Sequence, residues 1–110
     1  MSVLPGTLLH VRRGEVYEYV PVLARPGQSR ARLIISSQPV NDSEHPAVLG
    51  LHIVDRDPGG LLSVGVGGLG WASVMTIEAV LRSRLGPLLH TCTSEELDAV
   101  SNALRAAQDL

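Results

Sequence analysis

The sequence predicts a small α+β protein, mainly β, in which an antiparallel barrel or half-barrel carries one C-terminal amphipathic helix. Five or six short apolar segments alternate with turn residues at close spacing, which is typical of an antiparallel sheet. A parallel sheet would need a helix after each strand, and only the end of the chain has a clear helical pattern. With 110 residues and 45% hydrophobic content, the chain is expected to form one domain over residues 1–110.

The strands are predicted where β-branched, aromatic and aliphatic residues cluster between turns. They are GEVYEYVPV (14–22), RLIIS (32–36), AVLGLHIVD (47–55), LLSVGV (61–66) and GWASVMTI (70–77), with GPLLHTC (86–92) as a possible sixth. The segment IEAVLRSRL (77–85) also fits a helix, so the start of the sixth strand stays open. RPGQS (25–29) and DRDPGG (55–60) are predicted turns, and QPVNDSEHP (38–46) a polar loop.

The C-terminal helix has the clearest local signal. Thr93 precedes Glu96 by three residues, the spacing of a capping box in which each side chain accepts a hydrogen bond from the other residue's backbone N–H. An apolar face then follows at helical spacing. Its members are Leu97, Val100, Leu104 and Ala107.

The glycine-rich segment GVGGLG (65–70) matches the spacing of a dinucleotide-binding loop. That function needs a surrounding βαβ unit and an acidic residue about 20 positions later, whereas this segment falls late in a short chain and leads into β-branched residues. A glycine hairpin or bulge in an antiparallel sheet is the better interpretation.

Composition excludes several classes of function. The net charge of -2 gives no basic field for non-specific binding to nucleic acid or membranes. The single cysteine, Cys92, cannot form an internal disulfide, and we expect no metal site and no cofactor because no Cys/His pair has zinc-ligand spacing. No apolar run is long enough to cross a membrane. We therefore expect a cytoplasmic protein.

Two features are candidates for chemistry. His52 lies between Leu51 and Ile53, so alternation along a strand turns it to the opposite face. Arg30 and Arg32 are two residues apart at the start of an apolar run and would project to one face. Two guanidinium groups there can bind a phosphodiester. They can equally be edge charges that prevent aggregation, and residue chemistry alone favours that second interpretation.

A resemblance to a known family favours the first interpretation, in which arginine binds a phosphodiester. RRGEVYEYVPV (12–22) followed by GQSRARLIIS (27–36) resembles the opening of MazF/PemK-type toxins of type II toxin–antitoxin systems. TIEAVLRSRLG (76–86) and TSEELDAVSNALRAA (93–107) resemble the last third of that family.

The resemblance implies an SH3-like barrel that forms a homodimer, cleaves single-stranded RNA without a metal ion, and is neutralised by a cognate antitoxin. It implies a catalytic role for Arg30, which occupies the position of the family's arginine. The family's catalytic Thr or Ser falls on Ile53 or Val54, which carry no hydroxyl group. We therefore predict that His52 replaces it. The predicted RNA-binding residues are Arg13, Arg32, Ser36, Ser73 and Thr76.

Two functions follow from these observations. The first is a sequence-specific endoribonuclease toxin, or mRNA interferase. The second is a catalytically weakened MazF-like or CcdB-like protein that binds an antitoxin or DNA gyrase without cleaving RNA. Losing one donor to the reacting phosphate typically costs about 10² to 10³ in rate, so the aliphatic residues at 53 and 54 keep both functions open.

Overall fold

The computed structural model describes residues 10–23, 26, 28–57, 59–60 and 62–108. Within them the chain forms seven strands and two α-helices. The strands are β1 (Glu15–Tyr19), β2 (Ala31–Ile34), β3 (Ala47–Val54), β4 (Ser63–Val66), β5 (Gly70–Ser73), β6 (Glu78–Leu81) and β7 (Leu85–Thr91). The helices are α1 (Gln38–Asp42) and α2 (Ser94–Gln108), and short 3-10 turns cover Val74–Thr76 and Arg82–Arg84.

The sheet is antiparallel throughout and curls around its longest strand. Hydrogen bonding follows the order β4-β5-β3-β2-β1-β7, with β6 also paired to β3. Residues 47–50 of β3 pair with β6, whereas residues 53–54 pair with β5. Gly50 allows β6 to approach closely, since a Cβ atom there would lie 2.7 Å from Val80 Cγ2. The curled half-barrel with a C-terminal helix confirms the predicted fold.

Both faces of the curled sheet bury apolar side chains. One face packs against α2, and its buried set includes Val16, Leu33, Leu51 and Val100. The other face forms a second cluster, whose buried members are Val11, Tyr17, Tyr19, Ile34, Val48 and Val80. Alternation along each strand explains the division, because neighbouring residues such as Leu33 and Ile34 point to opposite faces.

The helix α2 begins with the predicted capping box. The backbone N–H of Thr93 donates to Glu96 Oε1 at 2.9 Å, and the N–H of Glu96 donates to Thr93 Oγ1 at 3.1 Å. Val100 is fully buried, as predicted, while Ala107 is exposed and Ala103 takes a buried place instead. The predicted apolar face is therefore confirmed at Val100 and wrong at Ala107.

Three segments differ from the prediction. The predicted strand at 70–77 ends at Ser73, and Val74–Thr76 form a 3-10 turn. The polar loop at 38–46 contains the one-turn helix α1, which has Pro39 in its first turn. Its buried Asn41 donates to the carbonyl of Ser36 and accepts from the Ser36 hydroxyl, so side-chain hydrogen bonds fix this turn. The helical interpretation of residues 77–85 is wrong, because four of these residues form β6 and pair with β3.

The GVGGLG segment forms a β-hairpin, as expected from its context. Residues 67–69 are the turn between β4 and β5, and the N–H of Leu69 donates to Val66 O at 3.1 Å. Gly70 has a φ of +139° and lies against β3, where a Cβ atom would be 2.2 Å from Val54 O. Only glycine fits there.

Some predictions fall on residues that the structure does not describe. They are the N-terminal residues 1–9, part of the predicted turns at 25–29 and 55–60, and the first residue of LLSVGV. In the described part of the chain, no helix is long and apolar enough to span a membrane.

Candidate functional site

Arg30 lies where the chain enters β2, with its backbone fixed and its side chain exposed. Its carbonyl accepts a hydrogen bond from the N–H of Tyr19 at 2.8 Å. The neighbouring Ser29 hydroxyl contacts Ile53 O at 2.5 Å, which ties the segment to β3. The guanidinium group is therefore carried on an ordered backbone and reaches solvent.

A cavity of about 590 Å³ opens beside Arg30. Its walls come from the start of β2, the end of β3, the β4–β5 turn and β7. Leu69 and Leu89 supply apolar surface, and Glu18 and Asp55 add two carboxylates. Arg30 thus lines a concave, solvent-reachable site that combines a cation with groups able to accept a proton.

Ile53 and Val54 line the same cavity as Arg30. Ile53 is almost completely buried, whereas Val54 is half-buried. The two aliphatic residues that occupy the expected Thr or Ser position are therefore next to the arginine, and they cannot donate a hydrogen bond to a phosphate oxygen.

His52 lies on the face of β3 opposite to Leu51 and Ile53, as alternation predicted. It is not part of the cavity wall. Its Nε2 contacts Glu78 Oε1 on β6. Glu78 also accepts from Arg32 Nε at 3.4 Å. The structure therefore joins His52 to Glu78 and Arg32, and it does not place His52 in the cavity with Arg30.

Arg32 is fully buried. Its Nη1 donates to the carbonyls of Ser29 and Ala31 at 2.9 and 3.0 Å, and its guanidinium lies 4.8 Å from the centre of the Tyr19 ring. The expectation that Arg30 and Arg32 share one open face is wrong, because the Glu78 carboxylate and the Tyr19 ring hold Arg32 inside the protein. Only Arg30 of this pair is exposed.

The charges in this buried group act on Glu78. Burial alone would raise the pKa of Glu78, but the hydrogen bond with His52 and the positive charge of Arg32 outweigh it and lower that pKa below its ordinary value. Glu78 is therefore ionised at neutral pH and can neutralise the buried guanidinium.

The other predicted RNA-binding residues are dispersed. Thr76 Oγ1 accepts from the backbone N–H of His52 at 2.9 Å and donates to the carbonyl of Ser73 at 2.6 Å, so its side chain contacts the backbone of both residues. Arg13 donates to Ile35 O and to Ser101 Oγ on α2. Ser36 is buried against α1. None of these four residues lines the Arg30 cavity.

Glu78, Glu18 and Asp55 are site residues that the sequence analysis missed. Residues 77–85 also fit a helical pattern, which does not place Glu78 beside β3. Asp55 falls in a predicted turn and Glu18 in a predicted strand, and neither position by itself indicates a functional site. Residues 78–81, EAVL, do not alternate between polar and apolar residues, so the local pattern gives no signal for the position of Glu78.

Comparison with known proteins gives fold-level matches. No protein-family model matches the chain, and no curated protein matches it. An endoribonuclease from a mycobacterial species superposes with a TM-score of 0.76 and 21% identity, covering 93% of this chain and 94% of that one. A mycobacterial endoribonuclease in complex with its cognate antitoxin superposes with a TM-score of 0.77 and 22% identity, covering 89% of this chain and 94% of that one.

A third solved structure agrees with these two. MazF from Deinococcus radiodurans superposes with a TM-score of 0.69 and 18% identity, covering 89% of this chain and 94% of that one. All three alignments extend over most of both chains. The chain therefore has the fold of these endoribonucleases and of MazF.

Proposed function

We propose that this protein is the toxin of a toxin–antitoxin system and cleaves single-stranded RNA at specific sequences without a metal ion. The observation that carries the proposal is the exposed Arg30 at the wall of a cavity in a MazF-type fold. A guanidinium group can bind two oxygens of one phosphodiester and stabilise the charge that grows on them.

The proposed reaction is an internal transfer at phosphorus. The 2′-oxygen attacks the adjacent phosphorus and the P–O5′ bond breaks, which leaves a 2′,3′-cyclic phosphate and a 5′-hydroxyl group. The 2′-hydroxyl proton passes to a base, and the leaving 5′-oxygen takes up a proton from water. Glu18 and Asp55 are described carboxylates of the cavity wall, and either can accept the first proton.

His52 is proposed to act indirectly. It contacts Glu78, which balances the charge of Arg32, and Arg32 donates to the carbonyls next to Arg30. His52 and Arg32 are then positioning residues for Arg30. This revises the predicted catalytic role of His52.

The proposed partners are RNA, an antitoxin and a second copy of the chain. One structural neighbour is an endoribonuclease in complex with its cognate antitoxin. A groove between two copies would suit single-stranded RNA, whose bases are read when they are splayed apart. The segment after β1 offers apolar surface for a protein partner, because three of its side chains are exposed: Val20, Val22 and Leu23. Action on RNA implies a cytoplasmic location.

The test is incubation of the purified protein with a long RNA in the presence of EDTA. Cleavage that leaves 2′,3′-cyclic phosphate and 5′-hydroxyl ends is expected, and sequencing of the new ends should show one short recognition sequence. Cleavage that stops in EDTA while the protein remains folded would contradict the metal-free mechanism. Cuts without sequence preference would contradict the proposed specificity.

A specific observation favours a second function. The cavity wall beside Arg30 is aliphatic at Ile53 and Val54, and it carries two carboxylates that oppose phosphate binding. A protein that binds an antitoxin or DNA gyrase without cleaving RNA fits these features. Intact RNA in the EDTA assay, together with binding to gyrase or inhibition of its supercoiling, would favour this alternative.

A further inference from the structure

Three metal-ligating side chains meet at the junction of β7 and α2. His90 lies near the end of β7, Cys92 follows the strand, and Glu96 is in the first turn of α2. One ligand atom of each lies within 4.8 Å of the other two. We propose that His90, Cys92 and Glu96 bind a zinc ion, with water as the fourth ligand.

The donor set is one that zinc prefers. Imidazole nitrogen, thiolate sulfur and carboxylate oxygen are its three usual protein ligands. Three protein ligands with one open position also give a common tetrahedral arrangement. A softer ligand set would favour copper(I), and an all-oxygen set would favour magnesium or calcium.

The distance between the His90 and Glu96 ligand atoms is close to that of an occupied site. Ordinary zinc–ligand distances place two ligand atoms about 3.3 to 3.6 Å apart in a tetrahedral site. His90 Nε2 and Glu96 Oε1 are 3.0 Å apart. These two atoms need to separate by a few tenths of an ångström. Cys92 Sγ lies within 4.8 Å of both, so it has to approach them for all three atoms to bind one ion.

The surrounding backbone holds the ligands in place without an ion. Glu96 Oε1 accepts from Thr93 N–H, and Glu96 Oε2 accepts from the N–H of Gly67 in the β4–β5 turn. The His90 ring packs on the same glycine, since a Cβ atom at Gly67 would lie 2.8 Å from His90 Cε1. The N–H of Cys92 donates to Gly14 O at 2.9 Å.

The cluster is partly accessible. The His90 and Glu96 side chains are 26% and 18% exposed, and Cys92 is half-buried. An ion can therefore enter, and a water molecule can complete its shell. On binding, the Cys92 thiol loses its proton to solvent. His90 Nε2 gives up the proton that it donates to Glu96, and the neutral ring keeps its proton on Nδ1, so the His90–Glu96 hydrogen bond is replaced by two bonds to the ion.

A bound ion would join β7, the β4–β5 turn and α2. That turn contacts both sites, because its Leu69 lines the Arg30 cavity and the N–H of its Gly67 donates to the zinc ligand Glu96. The role proposed for the ion is structural. It does not depend on the proposed RNA cleavage.

The test uses cobalt(II) as a spectroscopic probe for zinc in the full chain without an affinity tag. Because Cys92 is the only cysteine in the sequence, a thiolate-to-cobalt charge-transfer band can come from this residue alone. We expect one cobalt per chain with this band, loss of the band on adding zinc, and a zinc-dependent rise in Tm.

Three variants assign the ligands. Cys92→Ser should remove the band, and His90→Ala and Glu96→Gln should each weaken zinc binding at least about tenfold. Glu96→Gln keeps the capping box, since Gln also serves at that position, so it separates metal binding from folding. His45→Ala is the control, because His45 is exposed and outside the cluster, and it should bind zinc normally.

Several results would overturn the proposal. They are the absence of a charge-transfer band at stoichiometric cobalt, a zinc-dependent Tm rise that persists in Cys92→Ser, and one metal ion per two chains. The last would identify a bridge between molecules. Each result can be obtained whether or not the protein cleaves RNA.

Discussion

The buried guanidinium of Arg32 holds the backbone on both sides of the exposed Arg30. Its Nη1 donates to the carbonyls of Ser29 and Ala31, and Glu78 supplies the balancing charge. A cation without exposure to water needs such a partner, because an unpaired buried charge is costly. The two arginines therefore have different tasks, and the buried one positions the exposed one.

Loss of the Glu78 charge should weaken this arrangement. In Glu78→Gln the buried Arg32 keeps a polar neighbour but loses its anion, so we expect the free energy of unfolding to fall by about 1 to 3 kcal/mol. For RNA cleavage, kcat should fall with little change in KM. Urea unfolding and steady-state kinetics measure the two effects.

The matched control for this variant is Glu44→Gln, which alters an exposed glutamate. It should leave both stability and cleavage unchanged. An unchanged kcat in folded Glu78→Gln would contradict the positioning role of Arg32 and Glu78.

The lowered pKa of Glu78 predicts a pH dependence of stability. The unfolded chain binds this proton more readily than the folded protein, so the stabilisation is complete above the ordinary pKa of 4.5 and is lost as the pH falls through the lowered value. We expect the free energy of unfolding of the native protein to fall more steeply below that pH than in Glu78→Gln. Urea midpoints measured across the acid range check this, and parallel curves would refute it.

A hydroxyl group placed beside Arg30 should increase cleavage. Val54 lines the cavity and is half-buried, and Val54→Thr preserves its shape while adding a hydrogen-bond donor. We expect the cleavage rate to rise by up to about 10²-fold. Single-turnover assays on one RNA measure the change.

Val64→Thr is the control for that variant, since Val64 is also half-buried in a strand but does not line the cavity. It should cleave at the native rate. Equal rates for Val54→Thr and the native protein would show that this position does not contact the reacting phosphate.

Local sequence patterns were enough to predict much of the fold. Leu33 and Leu51 lie in predicted strands that form, and the three-residue spacing of Thr93 and Glu96 located the start of α2. These features depend on neighbours in sequence. Their physical causes, alternation and capping, can be recognised without tertiary structure.

The site depended on contacts between distant segments, which local patterns do not reveal. Arg32 is buried because Glu78, 46 residues later, lies on a strand that also fits a helical pattern. The cluster of His90, Cys92 and Glu96 escaped notice because the capping box already explained Glu96. Only the folded chain places the cysteine and histidine against that carboxylate.

The most direct test of the account is the single-turnover rate of RNA cleavage by Arg30→Ala in EDTA. Arg30 is exposed, so the variant should fold with native stability, and Arg105→Ala on the exposed side of α2 is the matched control. We predict a loss of at least about 10²-fold for Arg30→Ala and a native rate for Arg105→Ala. Cleavage at the native rate by folded Arg30→Ala would contradict the central claim.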